Sequence, residues 1–166
     1  GNAGSVQCDG TFGPAANNVH HLGVDGLRWV QVWTTNGVVQ GSDENLKEDI
    51  RVVSDEDYFE MIRGTEVKSY LYKQSQDGIM VASDRTQETV DNNELSLGVV
   101  AQDLANYESA KYVLQEGESG YSINLYNYTA SVHSALRHEI ALREQLEQEN
   151  QELKDRLAAI EAHLGL

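Results

Sequence analysis

Cysteine and proline are almost absent from this sequence. A single cysteine, Cys8, excludes an internal disulfide and a metal site built from several cysteines. It lies in a glycine-rich segment, where a bystander thiol is a better interpretation than a catalytic nucleophile. The one proline, Pro14, is near the start, so no proline interrupts a helix further along. Eight Tyr against two Phe and two Trp suit half-buried and interface positions better than a dry core.

Basic residues and long apolar runs are also scarce. The chain has 12 Lys and Arg against 27 Asp and Glu, a net charge of −15, and most of that charge falls within residues 42–127. An acidic surface repels phosphate, so we expect no nucleic-acid partner. We also expect no membrane partner, because the sequence has no bilayer-spanning apolar run, no basic amphipathic face and no opening signal peptide.

Composition divides the chain into three parts, of which residues 1–41 are nearly uncharged and rich in Gly, Asn, Val and Trp. In "LRWVQVWTTNGVVQG" apolar and polar residues alternate before an Asn36-Gly37 turn, which Val38 and Val39 follow. This pattern predicts short β-strands with a tight turn. A lone hairpin is only marginally stable, so we expect this part to be the end of a longer fibre or stalk, or to pair with other chains.

The second part, residues 42–127, predicts a small α+β unit. We expect a short helix after Ser42, a helix at about 55–63, and a strand in "VKSYLYK" with Val67, Ser69 and Leu71 on one face. The stretch "ELSLGVVAQDLANY" predicts a strand running into a helix, and "YVLQEGESGYSINLY" predicts a hairpin around its two glycines.

The third part, residues 128–166, has a helical pattern that ends in a coiled-coil seam. The seam residues recur in steps of four and three, and its one amide occupies an a position, where a buried polar group fixes register. They are Leu146, Asn150, Leu153, Leu157, Ile160 and Leu164. Upstream, Val132, Leu136 and Ile140 step by four, so we expect that part to pack on the globular unit. Self-association best buries such a narrow stripe, and a helix lying on its own domain is the alternative.

The stretch "GSDENLKEDI" has two interpretations. Ser42 fits a helix N-cap, with Asp43 and Glu44 in the first turn. Alternatively, its hydroxyl attacks the carbonyl of Gly41 through a five-membered transition state and turns the amide into an ester that water opens. Lys47 can take the proton if burial lowers its pKa. The interpretations are compatible, because a serine at a helix boundary can address the carbonyl before it.

Three motifs follow one another along the chain. Residues 17–50 contain "LG", "RW" and "NG" before S-D-x-x-L-K-x-x-I, and "LGVVAQDL" at 97–104 fits G-x-x-A-Q-[DE]. A third segment, "YSINLYNYTASVHSALRHEI", places tyrosines ahead of a long helix. In this order, over about residues 17–166, they resemble the endosialidase-type intramolecular chaperones, also classified as a self-cleaving peptidase family.

The resemblance implies a C-terminal domain of phage tail fibres, tailspikes and endosialidases that aligns three chains into an intertwined β-structure. It implies release by one cleavage in cis between Gly41 and Ser42, through a dyad of Ser42 and Lys47 and without cofactor or metal. The implied partners are two identical chains and the fibre segment before Ser42. The implied setting is the host cytoplasm during phage assembly, with the fibre part kept in the virion tail. Similar domains occur in the myelin regulatory factor, but no DNA-binding zone or membrane span is visible in this sequence.

Other functions and sites remain open. A permanent trimeric fibre cap without cleavage is the main alternative, and a Ser/Lys hydrolase acting on other substrates is less favoured because no second oxyanion motif is visible. Adjacent His20 and His21 point to opposite faces of a strand, so a metal site there is disfavoured. The acids at 55–57 fit a solvated helix start better than a cation site. Gln102 and Asp103 belong to the second motif, and their role in cleavage or in folding is undecided.

Overall fold

A computed structural model of the chain forms two compact units, Gly1–Asp43 and Glu44–Leu166. The structure describes residues 9–25, 28–29, 32–72 and 95–165. Cys8 lies outside the described residues, and so do Leu27, Val30 and Gln31 of the strand segment expected before Asn36. The division into three domains stays a prediction.

The described residues of the first unit contain no strand, only a single bridge at Val24. The expected turn is present, because the chain bends at Thr35 and Asn36 and Gly37 adopts a φ of +82°, a conformation that glycine tolerates best. None of these described residues is buried, and Trp33 is 89% exposed. A strand needs a paired edge and a covered face. Strands in this segment therefore stay a prediction for the assembled fibre.

The second unit opens with a short 3₁₀ helix, Glu44–Leu46, where the sequence predicted a short helix. Helix α1, Asp55–Gly64, confirms the helix predicted at about 55–63. Ser54 caps it, since its hydroxyl accepts the Asp57 N–H at 3.3 Å. The acidic first turn of α1 suits the positive end of the helix dipole.

Two antiparallel strand pairs confirm the other predicted elements of this unit. The first pairs β1, Lys68–Tyr70, with β2, Ser96–Gly98, and Ser69 lies opposite Leu97. The second is a hairpin whose turn ends at Gly120, which has a φ of +108°. Its strands are β3, Leu114–Gly117, and β4, Gly120–Ile123. Helix α2, Ala101–Leu104, and a 3₁₀ helix, Glu108–Tyr112, connect the two pairs.

A small core holds these elements together. Met61 of α1, Leu104 of α2 and Val113 before β3 have almost no exposed surface. Tyr58 and Ala110 complete the buried cluster. Burying side chains of this size contributes roughly 1.5–3 kcal/mol each, so this cluster is the main source of stability of the second unit. Its partly buried neighbours are Ile62, Val99, Tyr107, Leu114, Ile123 and Tyr128.

The longest element is α3, Leu125–Leu164, which begins three residues before the predicted start. Asn124 caps it by accepting the Asn127 N–H at 3.0 Å, and the following Gly165 adopts a left-handed φ of +70° that ends the helix. Within the described chain, none of the helices is both long and apolar enough to cross a membrane.

The first part of α3 packs on α1, as expected, but through a different face. Ser131, Ser134 and Ala135 are buried there, and the small side chains allow the two helices to approach closely. The three apolar residues that step by four stay 40–55% exposed on another side of the helix. Those residues are Val132, Leu136 and Ile140. The expected packing is confirmed for the segment and wrong for the side chains that make it.

Polar and aromatic contacts fix the pairing of α1 with α3. The hydroxyl of Ser134 donates to the Asp55 carboxylate, and Arg137 lies 3.5 Å from the same carboxylate. One turn further along both helices, the rings of Phe59 and His138 lie 4.8 Å apart. The contacts advance in the same direction on both helices, so α1 and α3 run parallel where they touch.

Candidate functional site

The predicted cleavage site is accessible in the single chain. Gly41, Ser42 and Lys47 are all exposed. Ser42 is the second-last residue of the first unit, and Lys47 follows the 3₁₀ helix of the second, with its N–H donating to the Glu44 carbonyl at 3.0 Å. A side chain at Gly41 would meet nothing within 4 Å, so this glycine is not required by packing. The dyad itself stays a prediction.

The backbone turns sharply just after Lys47. Asp49 has a φ of +55°, in the left-handed region that non-glycine residues seldom adopt. Its carboxylate accepts two hydrogen bonds from Arg51, at 2.9 and 2.7 Å, which hold the turn. The chain then runs to α1 with Ile50 and Val52 63% and 93% exposed. Exposed apolar side chains thus follow the predicted dyad along the chain.

The second motif, G-x-x-A-Q-[DE], joins β2 to α2. Its acid, Asp103, pairs with Lys68 of β1 across 2.6 Å, and this hydrogen bond raises the pKa of the lysine. Its glycine, Gly98, faces Tyr70, and an added Cβ would lie 3.0 Å from the phenol oxygen. The first contact ties α2 to the first strand pair, and the second lies within that pair. The structure therefore gives Asp103 a role in the fold. Gln102 lies in α2, and its backbone carbonyl accepts a hydrogen bond from the Asn106 side chain.

Lys68 is the residue of this motif region that sequence reasoning missed. It lies 35 residues from Asp103, and nothing in the local spacing links them. Tyr70 was placed correctly on the face opposite Ser69. Its hydroxyl lies 3.5 Å from that of Tyr72, and this contact raises the pKa of Tyr70. Lys68 and Asp103 come together only because β1 pairs with β2, two strands that are far apart in the sequence.

The structure also places the histidines and acids that the sequence analysis considered as metal ligands. His20 and His21 are exposed. The acids at 55–57 form the predicted helix start, and Asp55 contacts Ser134 and Arg137. Among the described residues, no three His, Cys, Asp or Glu side chains are grouped closely enough to hold a metal ion.

An open groove of about 470 Å³ lies between α1 and the second 3₁₀ helix. Arg51 and Lys111 line it together with acids and tyrosines, so it offers mixed charge and no pairing of a nucleophile with a base. Burial raises the pKa of Tyr58 on its wall, with Tyr112 adding to the effect. Ser42 and Lys47 are not among the residues that line this groove.

The predicted seam forms an exposed stripe on α3. Asn150 donates its side-chain N–H to the Leu146 carbonyl at 2.9 Å, so one of its two amide protons is satisfied inside its own helix. The apolar members are each 55–64% exposed. They are Leu146, Leu153, Leu157, Ile160 and Leu164. Trimerisation through them stays a prediction.

Comparison with known families gives a match that includes the first motif from Ser42 onward and the second motif. Residues 42–113 match the model of the family Peptidase S74, described as chaperone of endosialidase. The match begins at Ser42, covers less than half of the chain and ends before the hairpin and α3. A comparison with curated proteins gives no match. The resemblance expected from the motifs is therefore confirmed over residues 42–113, which match an endosialidase-type chaperone domain.

Proposed function

We propose that this chain is an intramolecular chaperone of a phage tail fibre or tailspike. It gathers three copies of itself through α3, aligns the fibre segments that precede Ser42, and then releases itself by cutting the Gly41–Ser42 bond. Assembly takes place in the bacterial host cytoplasm, and the fibre part stays in the virion tail. Three chains must find one another before their strands pair, a slow search that a trimerising domain shortens by raising the local concentration.

One observation carries this proposal: the family match starts at the predicted nucleophile. Ser42 is the first matched residue, and Gly41 before it lies outside the match. The division between the compact units, after Asp43, falls beside the same bond. A chaperone that leaves its client needs its own fold to begin where the client ends, and the second unit has its own buried core.

The proposed reaction is an acyl shift followed by hydrolysis. The Ser42 hydroxyl attacks the Gly41 carbonyl, the C–N bond breaks, and an ester forms between the carbonyl and the serine oxygen. Lys47 takes the hydroxyl proton and passes it to the Ser42 nitrogen, which leaves as an amine. Water then opens the ester to give a Gly41 carboxylate and restore the hydroxyl, so one water is consumed for each chain.

Assembly is expected to precede cleavage, for a physical reason. An amine serves as a base when burial removes it from water. Lys47 is exposed in the single chain, and so are the apolar residues that follow it. We expect the neighbouring chains to cover this surface, so that the base becomes competent only in the trimer.

Expression of the chain tests the reaction directly. We expect two fragments on a denaturing gel, with masses that together exceed the chain by one water, and a new N-terminal Ser42. Ser42→Ala and Lys47→Ala should each slow cleavage by at least about a thousandfold, because the dyad acts as a unit. Ser119→Ala and Lys154→Ala, at exposed positions elsewhere, are matched controls that should cut normally.

Native mass spectrometry supplies the second arm of the experiment. Three chains per particle are expected, and Leu153→Asp should give uncut monomers because it places a charge in the seam. Trimers made of uncut chains would refute the cleavage and would support the alternative function, a permanent fibre cap. Monomers that cleave at the wild-type rate would refute the order of assembly before cleavage.

A further inference from the structure

Helix α3 keeps one heptad phase from its first residue to its last. Two series of seven-residue steps run along it without a break. The first is Leu125, Val132, Glu139, Leu146, Leu153 and Ile160, and the second is Thr129, Leu136, Arg143, Asn150, Leu157 and Leu164. The later members of both series are the seam already described. We call Leu125, Val132 and Leu136 the upstream seam, and the residues from Leu146 onward the downstream seam.

The upstream seam is as uncovered as the downstream one. Leu125, Val132 and Leu136 are 75%, 40% and 55% exposed, against 55–64% for the downstream apolar residues. Val132 directly follows Ser131, and Leu136 directly follows Ala135. Ser131 and Ala135 are both buried against α1. One residue turns the helix by about 100°, so the α1 contact and the upstream seam occupy different faces. The helix can therefore hold α1 and still present this seam.

Two polar residues of the heptad series, one on each side of the middle of α3, can be buried between helices at a low cost in free energy. Thr129 donates its hydroxyl to the Leu125 carbonyl at 2.8 Å, and Asn150 donates to the Leu146 carbonyl at 2.9 Å. A buried donor that is already bonded avoids most of its desolvation penalty. These two positions therefore do not interrupt the seam.

In the middle of α3, two residues of opposite charge occupy the seam positions. Glu139 occupies a d position and Arg143 the next a position, with 3.9 Å between their charged groups in the single chain. Their side chains are 47% and 69% exposed, so both can reach another chain. Three parallel copies would bring three acids and three bases into adjacent layers about 6 Å apart, with no net charge.

We infer that the trimer contact runs the full length of α3, through both seams, and that the Glu139–Arg143 block between them sets its register. This rests on the trimer of the proposed function. The partner is a second and third copy of the chain, because one continuous heptad phase on one helix is covered by the same neighbours throughout. Opposite charges in adjacent layers let each Arg143 meet a neighbour's Glu139.

The charged block rejects a shifted alignment. A slip of one heptad sets the neighbour's Leu146 or Val132 level with Glu139, and leaves buried charges without partners, which is strongly unfavourable. The slip moves a chain by about 10 Å along the axis, or about three residues of a strand. Since strand register decides which side chains face a core, the block would protect the alignment of the fibre segments.

Cysteine cross-linking tests the upstream seam in the full chain, with Cys8→Ser to remove the native thiol. Val132→Cys should form disulfide-linked dimers as completely as Leu153→Cys, a downstream control. Ala141→Cys, exposed on the opposite side of the helix, should stay monomeric on a denaturing gel. If Leu153→Cys links while Val132→Cys behaves like Ala141→Cys, the upstream seam is refuted. If neither links, the trimer of the proposed function fails as well.

Mixed assembly tests the charged block between chains rather than within one. A Glu139→Arg chain carries two bases in the block and an Arg143→Glu chain carries two acids, so each is repelled by its own copies. Co-expressed in equal amounts with different tags, they should form mixed trimers, and homotrimers should be about tenfold rarer than random assortment gives. Neither variant can form the Glu139–Arg143 ion pair within one chain, so that ion pair cannot produce a preference for mixed trimers. Random assortment would overturn the role of the block.

Discussion

The two compact units differ most in what they bury. In the described part of the first unit every side chain is open to solvent, and Trp33 and Val39 are 89% and 92% exposed. The second unit buries Met61, Leu104 and Val113 almost completely. One sequence thus joins a segment rich in exposed apolar residues to a unit with its own core.

The difference indicates an order of folding. The second unit can fold from its own contacts, because its core is formed within one chain. The first gains little from folding alone, since the large apolar side chains of its described residues are exposed in the single chain. Aromatic residues distinguish the two units, because both tryptophans lie in the first unit and all eight tyrosines lie in the second. Tryptophan and tyrosine signals therefore follow the two units separately.

The largest expected effect comes from emptying the core of the second unit. Leu104→Ala should lower the free energy of unfolding by about 2–5 kcal/mol, because it removes a side chain with no exposed surface and leaves a cavity. Denaturant unfolding followed by circular dichroism and tyrosine fluorescence measures it. Leu22→Ala, 63% exposed in the first unit, makes the same deletion and should change this unfolding by less than about 0.5 kcal/mol. Equal effects would contradict the separate core.

A smaller effect is expected where the second unit holds its long helix. Ser134→Ala removes the hydroxyl that donates to the Asp55 carboxylate and should cost about 1–2 kcal/mol. Arg137 still faces that carboxylate, which limits the loss. Ser131→Ala is the matched control, since this equally buried hydroxyl donates only to the Tyr128 carbonyl of its own helix. Equal costs in urea unfolding would show that the contact between helices contributes nothing.

The smallest expected effect is a pH dependence confined to the second unit. Burial raises the pKa of the Tyr58 phenol. A group that holds its proton more tightly when folded stabilises the protein below its unfolded pKa, about 10 for tyrosine, and loses that contribution as pH rises further. Tyr58→Phe should therefore lose less stability than wild type as pH rises from about 9.5 to above 10. Urea midpoints across this range measure it. Tyr121→Phe, at a more exposed tyrosine, should keep the wild-type slope.

Local chemistry made several elements predictable. The three acids at 55–57 predicted the start of α1, and two glycines predicted the hairpin, because helix starts and turns depend on a few neighbouring residues. The segment around Asn36-Gly37 kept its turn and formed no strand in the described residues, because pairing depends on partners that alternation alone does not supply. The link between Lys68 and Asp103 was not predictable, since it joins residues distant in sequence.

The face of α3 that meets α1 shows where sequence reasoning reached its limit. Apolar spacing pointed to Val132 and Leu136, yet Ser131, Ser134 and Ala135 make the contact. Small side chains permit close approach without leaving a hydrophobic pattern in the sequence. By itself the sequence determined the heptad phase, the caps, the turns and the motif that begins at Ser42, since each depends on local spacing. The tertiary structure decided which helix face is buried and which strands pair, because those choices depend on the shapes of surfaces that meet only after folding.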